Sequence, residues 1–110
     1  MNMKTYAFVM PWKESDAQNF VQELHRELAN NPGHCLFERH VTLIGRNTTM
    51  DCFLFTIDDN LDENKFADVH LTFGAEKDPQ WPNTQLYKTF EEFCAARMNL
   101  DAADFDDDPG

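Results

Sequence analysis

Three short, strand-like segments follow one another through the middle of the chain and are joined by short polar turns. Residues 38–45, 52–57 and 66–73 are rich in branched and aromatic side chains, and apolar residues alternate along each segment. Because side chains two positions apart share a face of a strand, each segment has one apolar face that must be covered. Turns this short join antiparallel neighbours, whereas parallel strands need a long crossover. The pattern therefore predicts an antiparallel meander.

Helical segments flank these strands in the sequence. Ser15 is a good helix N-cap, and Gln18 three positions later completes a capping-box pattern. An apolar stripe recurring every three or four residues predicts a helix over residues 15–29. Thr89 is the next N-cap, and Glu92 three positions later completes a capping-box pattern. Residues 5–10 are apolar and end at a proline, which predicts a further strand. We therefore expect an α+β fold, with an antiparallel sheet of three to four strands and two helices packed on one face.

The length of the chain, 110 residues, corresponds to one domain. Forty-two per cent of the residues are hydrophobic, which is enough apolar material for a core. Residues 1–100 are predicted to form a single α+β domain, and residues 101–110, which include five aspartates, are predicted to form an acidic C-terminal tail.

Charge is the strongest compositional signal. Twenty acidic residues against nine basic ones give a formal net charge of −11, which is large for so small a domain. Such a field repels nucleic acid and anionic membranes, so neither is expected to bind directly. It attracts basic proteins and accelerates their association. The composition therefore predicts a basic protein partner, and it leaves the oligomeric state open.

Cysteine usage indicates a reducing compartment. The three cysteines, Cys35, Cys52 and Cys94, are odd in number, widely spaced and free of any CxxC pair. We identify no signal peptide, because no basic N-terminal stretch precedes a long apolar run. No segment approaches the roughly 18 apolar residues that a membrane span needs. We therefore expect a cytoplasmic protein.

Sequence motifs for phosphate binding and nucleophilic catalysis are absent. His34, Cys35 and His40 offer three metal-ligating side chains, but their spacing fits no established zinc pattern. The acidic run at residues 58–62 lacks the glycine and the distal glutamate of an EF-hand calcium loop. The leading interpretation is therefore a protein with no metal, no cofactor and no enzymatic activity.

One set of polar side chains shares the sheet face opposite the apolar one. Alternation places His40 on that face of one strand, and Asp68 and His70 on that face of another. An aspartate beside a histidine fixes the imidazole tautomer, so these three residues are candidates for an acid–base site. The same pattern is also typical of the solvent face of a half-buried sheet, or of a recognition face.

Acidic turns and large aromatic side chains are the candidate partner-binding residues. The acids cluster in turns at the ends of the predicted sheet, and aromatic residues near prolines often anchor protein interfaces. The predicted partner-binding set is Asp58, Asp59, Asp62, Glu63, Glu76, Asp78, Trp81 and Tyr87.

Two parts of the chain carry a resemblance to a known family. The first is the turn Pro32-Gly33-His34-Cys35-Leu36, and the second comprises Val69-His70-Leu71-Thr72-Phe73, Glu76, Gln80-Trp81-Pro82-Asn83-Thr84 and Phe90-Glu91-Glu92-Phe93. Over residues 24–98 the chain resembles a family of small, uncharacterised bacterial proteins with a VHLTW…E…WP.T…F.EF pattern, in which Phe73 replaces the usual tryptophan. The resemblance supplies no catalytic residues. Small acidic bacterial proteins of this build resemble immunity proteins, which bind and block a cognate toxin.

The leading interpretation is an acidic binding protein of the immunity or antitoxin type that occludes a basic toxin domain. One alternative is a nucleic-acid mimic, whose carboxylates imitate phosphate spacing and block a DNA-binding enzyme. The other is a small enzyme that uses His40, His70 and Asp68. A mimic predicts acids along one elongated face, whereas the enzyme predicts a pocket that holds the three side chains together.

Overall fold

The computed structural model describes residues 6–73 and 81–106, with side chains described up to residue 104. Its elements are β1 (Trp12–Glu14), α1 (Asn19–Leu28), β2 (Val41–Asn47), β3 (Cys52–Ile57), β4 (Phe66–His70), β5 (Asn83–Tyr87), α2 (Phe90–Phe93), a π-helical turn (Cys94–Met98) and α3 (Asn99–Asp106). The last three elements follow one another without a break and are called the C-terminal helical segment below. The predicted acidic tail therefore begins within α3, and its last four residues lie outside the described ranges.

The five strands form one antiparallel sheet in the order β1-β2-β3-β4-β5, which is also their order along the chain. The prediction of an α+β fold built on an antiparallel meander is confirmed, with five strands instead of three to four. The unpredicted strand β5 pairs with β4 from Tyr87 opposite Phe66 to Asn83 opposite His70. Its sequence is mostly polar because it is an edge strand with exposed positions, so it lacks the apolar alternation of the central strands.

Among the described residues, the first strand lies beyond Pro11, so the predicted strand over residues 5–10 is wrong for residues 6–10. Proline has no backbone N–H and cannot donate a hydrogen bond to a strand ladder. The chain turns at this point, with the Trp12 N–H bonded to the Val9 carbonyl at 2.9 Å. Strand β1 then pairs with the end of β2.

One face of the sheet packs against α1. Leu24 and Leu28 of the helix contact side chains from alternate positions of β2, β3 and β4, and this predicted alternation is confirmed. Phe73, expected on the same face, is exposed because the strand has ended and the residue has a φ of 58°. The strand residues of this core are Val41, Leu43, Phe53, Phe55, Ile57, Ala67 and Val69, and Leu71 follows β4.

The C-terminal helical segment covers part of the other face of the sheet, called the second face below. Trp12, Leu54 and Phe66 pack there with Phe93 and Met98 of that segment. The expectation of two helices on one face is therefore wrong, since α1 and the C-terminal helical segment cover opposite faces. A sheet covered on both sides buries both sets of alternating side chains, as β3 does over residues 52–55.

A β-bulge at Ile44 shifts the register of β2 and leaves Gly45 paired with Leu54. The ring of Phe8 packs directly onto the backbone at this glycine. A Cβ atom at position 45 would lie only 2.5 Å from Phe8 Cζ. The described residues before β1, residues 6–11, are called the N-terminal segment below. This segment packs against the second face because position 45 has no side chain.

The helix α1 begins at Asn19, four residues after the predicted N-cap Ser15. Gln18 precedes it and directs its amide to the edge of β2, where Nε2 donates to the Leu43 carbonyl at 3.3 Å and Oε1 accepts the Leu43 N–H at 3.2 Å. A tertiary contact thus replaces the expected capping box. The second capping box is confirmed, with both reciprocal hydrogen bonds between Thr89 and Glu92 present.

Candidate functional site

The turn between β3 and β4, residues 58–63, is called the acidic turn below. Arg39 forms hydrogen bonds with two of its carboxylates. The guanidinium, only 8% exposed, donates to Asp59 from Nε at 3.1 Å and to Asp62 from Nη1 at 3.0 Å. Asp59 also accepts the Leu61 N–H, and Asp62 accepts the Asn64 N–H. The hydrogen bonds from Arg39 hold the pKa of both carboxyl groups below their usual range. These two predicted partner-binding acids are therefore ionised and fixed in place.

Asp58 and Glu63 flank the centre of the acidic turn and are exposed. Asp58 accepts hydrogen bonds from the hydroxyls of Thr42 and Thr56, at 2.5 Å and 2.9 Å. These bonds fix the orientation of its carboxylate above the sheet. Glu63 lies 3.0 Å from Lys88 Nζ, and both side chains are more than half exposed. Such a surface pair contributes little to stability.

An open cavity of about 910 Å³ lies beside the acidic turn on the second face of the sheet. Its lining includes Tyr6 and Ala7 near the N-terminus and residues 88–91 around the start of the C-terminal helical segment, and the rings of Tyr6 and Phe90 pack against each other. Sequence reasoning missed this cavity because residues distant in the chain line it. The main lining side chains are Thr42, Thr56, Asp58, Lys65 and Lys88, with the aromatic rings of Tyr6, Phe66 and Phe90.

Trp81, another predicted partner-binding residue, lies on a stretch of backbone that buried side chains hold. Asn31 Nδ2 donates to the Trp81 carbonyl at 2.8 Å, and His34 Nε2 lies 2.8 Å from the Pro82 carbonyl oxygen. Both Asn31 and His34 are buried, whereas the Trp81 side chain is 45% exposed. The indole is therefore presented to solvent on a fixed backbone.

Glu27 fixes the end of β4 in a similar way. Its carboxylate, only 1% exposed, accepts the Thr72 N–H at 3.0 Å and the Phe73 N–H at 2.9 Å. Burial raises the pKa of this carboxyl group. The Phe73 side chain beyond it is 48% exposed. Glu27 falls three positions after Leu24, on the apolar stripe of α1, and this spacing is the sequence signal for its burial.

The acidic turn and Trp81 lie at opposite ends of β4. The turn precedes Phe66, whereas Trp81 comes shortly before Asn83, which pairs with His70 at the other end of the strand. Four residue steps separate these strand ends, a distance of about 14 Å. The structure therefore does not bring the predicted aromatic anchor together with residues 58–63. Tyr87, the other predicted aromatic, is half-buried with its ring 5.9 Å from that of Phe93.

The three residues of the predicted acid–base site are not assembled. The His40 carbonyl accepts the N–H of Asp58, just beyond one end of β3, whereas His70 pairs with Cys52 at the other end. Six residue steps along a strand correspond to about 20 Å. Asp68 is bonded to Arg97 at 3.1 Å and does not orient an imidazole through any hydrogen bond among the described residues.

Asp68 belongs to a polar cluster beneath the C-terminal helical segment. Arg97 bridges Asp68 to Asp101, with its Nε 2.9 Å from the Asp101 carboxylate. Trp12 Nε1 donates to the same carboxylate at 2.7 Å. Burial raises the pKa of Asp68 to about 6, although the charge of Arg97 opposes this shift. The cluster ties the sheet to the helical segment, and it covers a face that had been considered as a solvent or recognition face.

Cys52 Sγ lies 3.3 Å from Arg97 Nη2 and 3.7 Å from His70 Nδ1. Burial raises the pKa of the Cys52 thiol, so at neutral pH the group is a thiol and a poor nucleophile. Cys35, Cys52 and Cys94 are all free cysteines.

The described ranges contain no group of three or more His, Cys, Asp or Glu side chains placed to hold a metal ion. Within the same ranges, none of the helices has the length and apolar character required to cross a bilayer. Glu76 and Asp78, the remaining predicted partner-binding acids, lie outside the described residues.

Comparison of the chain with protein-family models, with curated proteins and with solved structures finds no match. The functional argument therefore rests on the geometry of the acidic turn and of the cavity beside it.

Proposed function

We propose that the chain is an immunity-type or antitoxin-type inhibitor that binds a basic toxin domain through its acidic turn. The observation that carries the proposal is the buried guanidinium of Arg39, which fixes Asp59 and Asp62 on the surface turn. Carboxylates that are already ordered lose little conformational entropy when a partner binds, whereas mobile carboxylates would have to be ordered at that moment. The acidic turn is therefore preorganised for a cationic surface.

Charge supports the same choice of partner. Arg39 is outnumbered by the two carboxylates it binds, so this part of the acidic turn remains negative. The chain as a whole carries a formal net charge of −11. A field of this sign concentrates basic partners and raises their association rate, and salt weakens it. Inhibition would then occur by occlusion, as the acidic turn covers Lys and Arg residues around the active site of a toxin such as a nuclease.

The test is co-purification of partners from the native cell with the tagged chain, eluted at about 0.15 M and then about 1 M salt, between which screening becomes strong. We expect one stoichiometric partner with a basic domain, released by the higher salt. The purified partner should lose its toxic or enzymatic activity when one equivalent of this chain is added.

Two double variants with the same charge change then locate the contact. Asp58→Asn with Glu63→Gln alters the acidic turn and leaves Arg39 paired, whereas Asp51→Asn with Asp104→Asn alters exposed acids elsewhere. Both variants weaken long-range attraction equally. We expect at least a tenfold loss of affinity from the first variant and less than threefold from the second. Equal losses, or a loss produced only by Trp81→Ala, would contradict binding through the acidic turn.

A further inference from the structure

Two threonine hydroxyls hold the carboxylate of Asp58 where it lines the cavity. Thr42 and Thr56 face each other across β2 and β3, and their hydroxyls each donate to a different oxygen of Asp58. A carboxylate oxygen has two acceptor positions, so each oxygen retains one for a ligand. Asp58 also lines the cavity of about 910 Å³. The Asp58 carboxylate therefore offers two acceptor oxygens at the cavity.

Three aromatic rings line the same cavity as the Asp58 carboxylate. Tyr6 packs against Phe66 with ring centroids 5.5 Å apart, and against Phe90 at 4.9 Å. All three side chains line the cavity. Aromatic rings attract cations, and a planar guanidinium stacks on them more readily than a hydrated ammonium group does.

The two lysines that line the cavity already have partners of their own. Lys65 Nζ donates to Asn60 Oδ1 at 3.1 Å and to the Asp62 carbonyl at 3.4 Å. Lys88 is paired with Glu63. These bonds direct both ammonium groups toward the acidic turn, and the net charge of −11 disfavours an anionic ligand. Among charged ligands, a cation is therefore favoured over an anion, and a cation can bond to the carboxylate of Asp58.

We propose that this cavity receives an arginine side chain of the basic partner, with the edge of the guanidinium bonded to Asp58 and its planar face stacked on the aromatic rings. Arginine fits better than lysine because its fork of N–H donors matches two carboxylate oxygens at once. The inference rests on the proposed function for the identity of the partner. It names the chemical group that the partner must supply.

The test uses the isolated chain and small probes, so it does not require the partner to be known. Backbone amide spectra are recorded by NMR while N-acetyl-arginine amide is added, and N-acetyl-citrulline amide serves as the uncharged probe of the same shape. We expect saturable shifts at residues around the cavity, with millimolar affinity because the probe is small. Citrulline should bind at least fivefold more weakly.

Matched variants separate a specific site from general attraction to an acidic surface. Asp58→Asn should weaken arginine binding at least fivefold, whereas Asp51→Asn, with the same charge change at the other end of β3, should leave it unchanged. Tyr6→Leu should also weaken binding, while well-dispersed spectra show that each variant is folded. Equal binding of citrulline, equal effects of both aspartate variants, or shifts spread over all acidic residues would overturn the inference.

The two proposals fail in distinguishable ways. If the arginine probe binds at the cavity but no basic partner is captured, the site stands and the inhibitor function does not. If a partner is captured and its affinity is unaffected by Asp58→Asn alone, the inhibitor function stands and the arginine site does not.

Discussion

The buried imidazole of His34 is bonded to the carbonyl oxygen of Pro82, forty-eight residues further along the chain, at 2.8 Å. Its other nitrogen, Nδ1, accepts the Leu36 N–H at 3.0 Å, so Nε2 carries the proton and donates to Pro82. The Thr84 hydroxyl lies 3.2 Å from the same Nε2. The imidazole of His34 therefore joins the turn at residues 32–36 to the segment that contains Trp81 and Pro82.

Replacing His34 by alanine should therefore destabilise the protein by about 2–4 kcal/mol, since it removes two buried hydrogen bonds and leaves a cavity. His34→Gln should cost less, because its amide retains a donor near the position of Nε2. Urea denaturation measures both losses, and hydrogen exchange at the Leu36 amide reports the local bond. His25→Ala, at an exposed position of α1, is the control and should change stability by less than about 0.5 kcal/mol. A similar loss from both alanine variants would contradict this role for His34.

Glu27→Gln should destabilise the protein by about 1–3 kcal/mol, although the two side chains have the same shape. The Glu27 carboxylate accepts both N–H groups of Thr72 and Phe73, whereas a glutamine would turn its own NH₂ toward one of them. Thermal or urea unfolding gives the size of the loss, and faster hydrogen exchange at Thr72 or Phe73 locates it. Glu14→Gln, at an exposed position of β1, should be neutral. Unchanged exchange at both amides would argue against this role for the carboxylate.

Stability should fall with rising pH because of Asp68. Burial raises its pKa from the ordinary 3.8 to about 6, so between these values the folded state binds more protons than the unfolded state. The free energy of unfolding contributed by this group therefore decreases as pH rises from about 4 to about 6. A shift of about two units corresponds to about 3 kcal/mol.

The difference in unfolding free energy between the natural protein and Asp68→Asn isolates this contribution, because other acids titrate in both. We expect the difference to change by about 2–3 kcal/mol in favour of the variant between pH 4 and pH 7. Asp104→Asn, exposed on α3, should show no such slope. A difference for Asp68→Asn that moves the other way with pH would show that Arg97 outweighs burial.

Gly45→Ala should destabilise the protein by about 1–3 kcal/mol through a clash with Phe8. The added Cβ would lie 2.5 Å from Phe8 Cζ and 2.6 Å from Cε1, so the ring must leave its position. In a Phe8→Ala background the same substitution should cost little, because glycine is itself unfavourable within a strand. A double-mutant cycle by urea denaturation measures this coupling. Additive losses would contradict direct packing of the ring on Gly45.

The predictions that depended on local sequence were the most accurate. Alternation in residues 52–57 gave β3 with its bounds, and the Thr89 capping box gave the start of the C-terminal helical segment. Gln18 was misassigned, because its side chain bonds to Leu43 in β2 and not to its own helix. A glutamine three residues after a serine fits both uses, and only the distance to the sheet selects between them.

For the candidate site, the sequence indicated the acidic turn but not what holds it or what lies beside it. Nothing in the sequence distinguishes Arg39 from an ordinary surface cation. In the structure it is buried and bonded to Asp59 and Asp62, which lie 20 and 23 residues later in the chain. Alternation predicted that His40, Asp68 and His70 share one face of the sheet. It did not predict how far apart they lie along the strands. The register of β3 separates the two histidines, and Arg97 binds the aspartate.

The sequence by itself determined the antiparallel meander, the presence of two helical regions and the acidic charge, because alternation, helical periodicity and turn length act over a few residues and charge follows from composition alone. The tertiary structure decided that the two helical regions cover opposite faces of the sheet, that β5 adds an edge strand, and that residues 6–7 and 88–91 line one open cavity with Asp58. These features depend on contacts between residues distant in the chain, whose free energies come from burial and hydrogen bonding in three dimensions. No local pattern specifies them.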